Sequence, residues 1–232
     1  MMHYYSEKEI RDIIASVVAQ SALASKGAQS GAPQCAQKAE KPCEKRPVPV
    51  EVSARHVHLT QEAVEQLYGK GHKLTKKRDL SQPGEFLAEE RVKIVTSKGE
   101  FANVAVLGPA RKATQVELSM TDCKALGVKA PVNLSGDLSG AGSVVLITPT
   151  GMVRADGSVI VAKAHIHMTT KDAAAFGVAD GQKVRVHLNS PRPITIDDVL
   201  IRVKDSFALA MHIDFDEANA AAVSGNVTGY IE

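Results

Sequence analysis

From Val50 to the C-terminus, apolar residues fall in short runs broken by Gly, Pro or polar clusters: VEVS, RVKIVTS, FANVAVLG, VELS, SVVLITP, SVIVAKAHIHM, KVRVHLN, DVLIRV, ALAMHID and VTGYI. Most are rich in β-branched residues, as strands are. Helical spacing is brief, at residues 60–68, 121–126, 170–176 and 216–223. Many short strands with few helices predict a mainly β fold of barrel or sandwich domains, not a doubly wound sheet.

The N-terminal part follows a different pattern. In residues 6–23, Ile10, Ile13, Ile14, Val17 and Val18 lie on one helical face, and Ser6 and Glu9 have capping-box spacing. This predicts an amphipathic helix within residues 1–23. Residues 24–47 are rich in Ala, Gly, Pro, Lys and Gln with hardly any large apolar side chain, so burial cannot offset their ordering entropy. They read as a flexible linker with a root-mean-square span of roughly 27 Å.

The β-rich part repeats itself weakly. SARHVHLTQEAV resembles AKAHIHMTTKDAA, which sets His56 and His58 on His165 and His167. RVKIV at 91–95 parallels KVRVH at 183–187, and VELSMTDCKA can be laid on MHIDFDEANA, placing Glu117 opposite His212. One duplication explains all three matches. It predicts two similar β-barrel domains with short capping helices, at residues 48–150 and 151–232.

Composition narrows the classes. With 28 Lys+Arg against 26 Asp+Glu, the formal charge of +2 is too balanced for a protein devoted to nucleic-acid backbones. No apolar stretch is long enough to span a bilayer, so neither nucleic acid nor membrane is an expected partner. Three cysteines, Cys35, Cys43 and Cys123, are an odd number, two of them in the linker. They imply no disulfide framework, and with no secretory signal at MMHYYSEKEI a reducing cytoplasm fits best.

In a strand, His-x-His points both imidazoles the same way, the geometry of a two-ligand metal clip. Five of the eight histidines sit at repeat-related positions. The expected sets are His56, His58 and Glu117 for one ion and His165, His167 and His212 for another. Each set of three leaves open positions, as catalytic zinc does, and nitrogen-rich ligation favours Zn2+ over Mg2+ or Ca2+. In LGPARKATQVELS a Gly-Pro turn precedes Arg111, a planar cation able to hold a tetrahedral anion beside Glu117. Arg55 is a second candidate anion ligand. Cys123 reads as structural, and GDLSGAGS, residues 136–143, as a mobile inter-domain connection.

SARHVHLT, GPARKATQVELS, KAHIHMT and AMHIDFDEANA resemble the phosphotransacylases of bacterial microcompartments, the PduL type or phosphate propanoyltransferases, over about residues 48–232. The resemblance implies two β-barrels with two zinc ions in the cleft between them. It implies interconversion of a short-chain acyl-CoA plus phosphate with acyl phosphate plus CoA, propanoyl-CoA first and acetyl-CoA as the alternative. It places the metal ligands at His56, His58, Glu117, His165, His167 and His212 and the phosphate-binding arginine at Arg111, and it assigns no CoA-contacting residue. It also implies a microcompartment lumen, as in propanediol degradation, with residues 6–23 contacting shell or core proteins, and it is compatible with a homo-oligomer. The chain departs from the family at Ala54, usually Asn, and at Ala164, often Arg. Two rivals remain at this stage: a zinc hydrolase of esters or phosphates, and a metal-stabilised, non-catalytic shell adaptor.

Overall fold

The structure, a computed structural model, describes residues 46–232 and, ahead of them, Lys8. The expected helix at 1–23 and linker at 24–47 therefore lie outside the described residues, Lys8, Arg46 and Pro47 excepted.

The described chain is mainly β and forms two closed six-stranded barrels. It opens with β1 (Pro47–Val52), which belongs to the second barrel. The first barrel is a ring of β4 (Phe86–Val95), β5 (Glu100–Gly108), β2 (His56–His58), β6 (Gln115–Leu118), β9 (Met152–Ala162) and β8 (Gly142–Ile147), with β8 returning to β4. Two further strands flank this ring, β3 (Lys76–Asp79) beside β4 and β7 (Val132–Asn133) beside β9. The second ring runs β11 (Lys183–Asn189), β12 (Thr195–Val203), β10 (His165–Met168), β13 (Ala210–Ile213), β1 and β14 (Val227–Ile231), and β14 closes on β11.

The rings superpose strand for strand, including the parallel pairs β2/β5 and β10/β12 and the antiparallel pairs β2/β6 and β10/β13. They differ in where the sixth strand comes from. The strand parallel to β6 is β9, the last of the first barrel, whereas the strand parallel to β13 is β1, the first of the chain. The second barrel is thus a circular permutation of the first. The expected boundary at 150/151 is corrected accordingly: residues 152–162 belong to the first barrel and residues 47–52 to the second. SVIVAKAHIHM is likewise two strands, because the chain crosses between barrels at Lys163 and Ala164, where no turn residue marks the break.

Each barrel is filled by its own aliphatic cluster, one including Val57, Leu67, Ile94 and Leu146, the other Ile166, Met168, Ile201 and Met211, all fully buried. Burying each such side chain contributes about 1.5–3 kcal/mol. Four short helices follow the strands that matter most: α1 (Gln61–Tyr68) after β2, α2 (Met120–Leu126) after β6, α3 (Thr170–Phe176) after β10 and α4 (Phe215–Ala220) after β13. Thr60, Ser119, Thr169 and Asp214 cap them, each accepting a hydrogen bond from a first-turn amide. Capping stops each strand just past its histidine or glutamate. Residues 136–143 do not connect domains. They lie within the first barrel, between β7 and β8, where the Asn133 side chain donates to the carbonyls of Asp137 and Ser139. Among the described residues no helix is long and apolar enough to cross a membrane.

Candidate active site

Register brings the expected donors together in both barrels. His56 lies opposite Glu117 on the β2/β6 ladder, and His165 opposite His212 on β10/β13. Val57 and Ile166, the residues between the paired histidines, point into the barrel cores. The alternation of a strand therefore turns all four imidazoles to the other side, onto one cleft between the barrels.

In the first set, Glu117 Oε2 is 3.5 Å from His56 Nε2 and Oε1 is 3.8 Å from His58 Nε2. The donor atoms of these three buried residues all lie within 4.8 Å of one another. His56 Nδ1 is 2.8 Å from the Ala54 carbonyl, which only a protonated nitrogen satisfies, so Nε2 is the atom turned to Glu117. Burial pushes this imidazole down, but the Glu117 carboxylate more than offsets it and raises its pKa. Burial pushes the Glu117 carboxyl up, but the charge and hydrogen bond of His56 and a hydrogen bond from Ser135 more than offset it and hold the group well below the usual carboxylate range. Gln115 Nε2 also donates to Glu117 Oε1, at 2.5 Å.

The second set repeats the strand register, but among the described residues only the first set has its donor atoms all within 4.8 Å of one another. His165 Nδ1 is 2.8 Å from the Lys163 carbonyl. Ring centroids are 4.7 Å apart for His165 and His167, 5.2 Å for His165 and His212, and 5.0 Å for His167 and His212. Burial first, then neighbouring positive charge, pushes these histidines down, His165 and His212 to about 4 and His167 to about 2. His58 is pushed well below its ordinary value for the same reasons. All four are neutral imidazoles at physiological pH.

These residues fit metal ions. His58 Nδ1 and both ring nitrogens of His167 are buried without a hydrogen-bond partner among the described residues. Such atoms each cost about 1–3 kcal/mol when left unpaired, and a cation accepted by His167 removes part of that cost. Neutral imidazoles with free lone pairs and one ionised carboxylate are borderline-soft donors that suit zinc.

The cleft has a volume of about 910 Å3, and Arg55, Arg78, Arg91, Arg111 and Arg202 all line it. Arg111 follows Gly108–Pro109, where a Cβ on Gly108 would lie 2.2 Å from the Phe86 ring. Its amide donates to the Leu59 carbonyl at 2.8 Å, which ties the loop to the end of β2. Its guanidinium donates to Glu85 at 2.8 Å and to Ser135 Oγ at 3.2 Å, and Ser135 in turn donates to Glu117 at 2.9 Å. Arg202 is the register partner of His167 on β12. Phe207 stacks on His167 at 4.3 Å, with Arg202 5.8 Å from its ring.

The sequence profile of the phosphate propanoyltransferase family matches residues 49–224. The chain belongs to the phosphate propanoyltransferase family. It is 55% identical over 183 residues to a phosphate propanoyltransferase of Leptotrichia buccalis, covering 79% of this chain and 87% of that protein. Proteins of the same name from Clostridioides difficile and Thermotoga maritima are 53% and 51% identical over 177 and 183 residues, covering 76% and 78% of this chain and 85% and 87% of theirs. This family member is accordingly an enzyme, an acyltransferase.

Within this phosphate propanoyltransferase fold, Arg55 is not available as an anion ligand. It makes a two-pronged ion pair with buried Asp122, at 3.0 and 2.8 Å, and its guanidinium sits 4.0 Å above the Phe101 ring. The partner is 67 residues away in sequence, so no local signal marks it. Arg202, Ser135, Glu85 and Gln82 are among the cleft residues that sequence reasoning missed. No motif marks Arg202, which reaches the cleft through the parallel register of β10 and β12. None marks Gln82 either. It reaches from the first barrel to hold the Ala208 backbone at both N–H and C=O, at 3.2 and 3.0 Å, and its amide lies 3.5 Å from His212 Nε2.

Proposed function

We propose that this chain is a zinc-dependent phosphate propanoyltransferase, interconverting propanoyl-CoA plus phosphate with propanoyl phosphate plus CoA, with acetyl-CoA as the alternative acyl donor. The observation that carries the reading is the convergence of two three-donor sets and of Arg111 and Arg202 on a single cleft. Forming the acyl phosphate requires a phosphate oxygen to bond the thioester carbonyl carbon while the C–S bond breaks and CoA thiolate leaves. The site must therefore neutralise a dianion, orient it, and stabilise the oxyanion.

Arg111 is built for the first two tasks. Its planar fork is aimed at the cleft by Ser135 and by Glu85, whose salt link phosphate can replace in kind. Arg202 presents a second guanidinium from the opposite barrel, and the partly buried setting strengthens both. Two zinc ions, held by His56, His58 and Glu117 and by His165, His167 and His212, would supply Lewis-acid stabilisation of the phosphate and carbonyl oxygens. The test is to mix an acyl phosphate with CoA and follow thioester formation, comparing propanoyl and acetyl. A transferase makes acyl-CoA. Consumption without thioester would indicate a hydrolase, and no consumption an adaptor.

Direct attack is favoured over a covalent acyl-enzyme. Cys123 is 1% exposed, and burial, then the charges of Asp122, Asp216 and Asp214, push its thiol up to about 11. A nucleophile needs the opposite shift. Cys123→Ala is expected to keep turnover within about twofold, with intersecting initial-rate lines when acyl phosphate and CoA are varied. Parallel lines and a dead variant would reinstate the thiolate route.

The amphipathic sequence pattern of residues 6–23 supports a place in a microcompartment lumen, with that segment docking on shell or core proteins. Because β1 starts at Pro47 and closes the second barrel, a truncation that tests this must stop at residue 45. Removing residues 1–45 is expected to leave kcat unchanged while abolishing co-purification with shell particles. Packaging that survives the deletion would remove the targeting role.

A further inference from the structure

We infer that the two donor sets are not equivalent: the Glu117 set holds its cation unaided, whereas the His165, His167 and His212 set holds one firmly only when a phosphate-type anion joins it. This rests on the zinc reading above and concerns how the substrate completes the site. The rings match strand for strand, so the difference comes from side chains. On the first side, a carboxylate faces two imidazoles, and the neighbouring cation Arg111 is answered by Glu85 at 2.8 Å. On the second side the position equivalent to Glu117 is His212, so all three donors are neutral.

That second side faces charge of both signs. Arg202 is paired in register with His167 and lines the same cleft. Among the described residues no carboxylate lies within ion-pair distance of Arg202. Glu51 lies 3.8 Å from His212 Nδ1. Its Oε2 accepts from Ser81 at 2.5 Å, and it faces the ring from the Nδ1 side. The first set is also converged within 4.8 Å, while in the second the Gln82 amide lies 3.5 Å from His212 Nε2 and must yield to an incoming cation.

Ligand charge count tunes cation affinity over decades. A dication at three neutral donors, with Arg202 beside them and no carboxylate among the donors, lacks the ligating anion that Glu117 supplies next door. Inorganic phosphate, held by Arg111 and Arg202, is an anion the reaction itself delivers. Coupling of this kind is reciprocal, so the second cation must tighten phosphate by the same factor.

The test uses full-length, zinc-loaded protein equilibrated against a graded chelator, in chloride or in millimolar inorganic phosphate at equal ionic strength, with retained zinc counted. One equivalent should leave at a free-zinc level at least about tenfold higher than the other, and phosphate should tighten that equivalent alone by about tenfold or more. His167→Ala should lose the weaker class and the phosphate effect while keeping the tighter one. Glu117→Gln should weaken the tighter class into the range of the other. Two equivalents that leave together, or a phosphate shift on both or on neither, would overturn the inference. A protein that retains no zinc at any chelator level would overturn the zinc reading itself.

Discussion

His58→Ala is expected to lower turnover by at least about a thousandfold, roughly 4 kcal/mol of transition-state stabilisation. His58 is 2% exposed, lies on a three-residue strand and aims Nε2 at Glu117 from 3.8 Å. Removing it takes one of three donors from the proposed set that contains the Glu117 carboxylate. The second consequence is loss of zinc: metal analysis should show about one equivalent fewer than wild type, with the barrel intact by circular dichroism. His187→Ala is the control, since His187 hydrogen-bonds Thr195 at 3.2 Å on β11 and is not among the cleft residues. Full activity in a His58→Ala protein stripped of metal would remove zinc from the mechanism.

Arg111→Ala is expected to cost about 2–4 kcal/mol in kcat/KM for phosphate, a factor of roughly thirty to a thousand. Two losses combine. The guanidinium no longer meets the dianion, and Glu85, deprived of its 2.8 Å partner, leaves an unanswered negative charge where phosphate must bind. Arg111→Lys keeps the charge but not the fork, so it should recover only part of the loss. Glu85→Gln separates the two effects, because it leaves the guanidinium in place without its competing carboxylate. If phosphate dependence is unchanged in Arg111→Ala, the residue is a structural tie between the 109–114 loop, Glu85 and Ser135.

The duplicated His-x-His was legible because a strand's period of two is a local property. Once residues 56–58 and 165–168 are strands, both histidines of each pair must face one way. The repeat also anticipated that Glu117 and His212 occupy equivalent registers, since both follow β-type runs and precede capped helices. Arg111 stood out because it lies six residues from Glu117. By contrast, Arg55 resembled an anion ligand until Asp122, 67 positions later, was brought against it. Gln82 and Ala208 are 126 residues apart and meet only because the barrels share a cleft.

The sequence by itself determined the elements and the chemistry they carry: short β-branched strands, polar caps that end them, and donor pairs whose facing follows from alternation. Those are short-range consequences of backbone geometry and solvation. The tertiary structure alone decided which strands close which barrel. β1 is a short alternating strand and β9 a longer one with a buried run, but neither pattern names the barrel it closes. Only ring closure, with every backbone donor and acceptor paired, assigns β1 to the barrel at the far end of the chain. Which charges stand unanswered was decided the same way, because an ion pair depends on distance in space: Arg55 and Arg111 acquire carboxylates through the fold, and Arg202 is left facing the cleft.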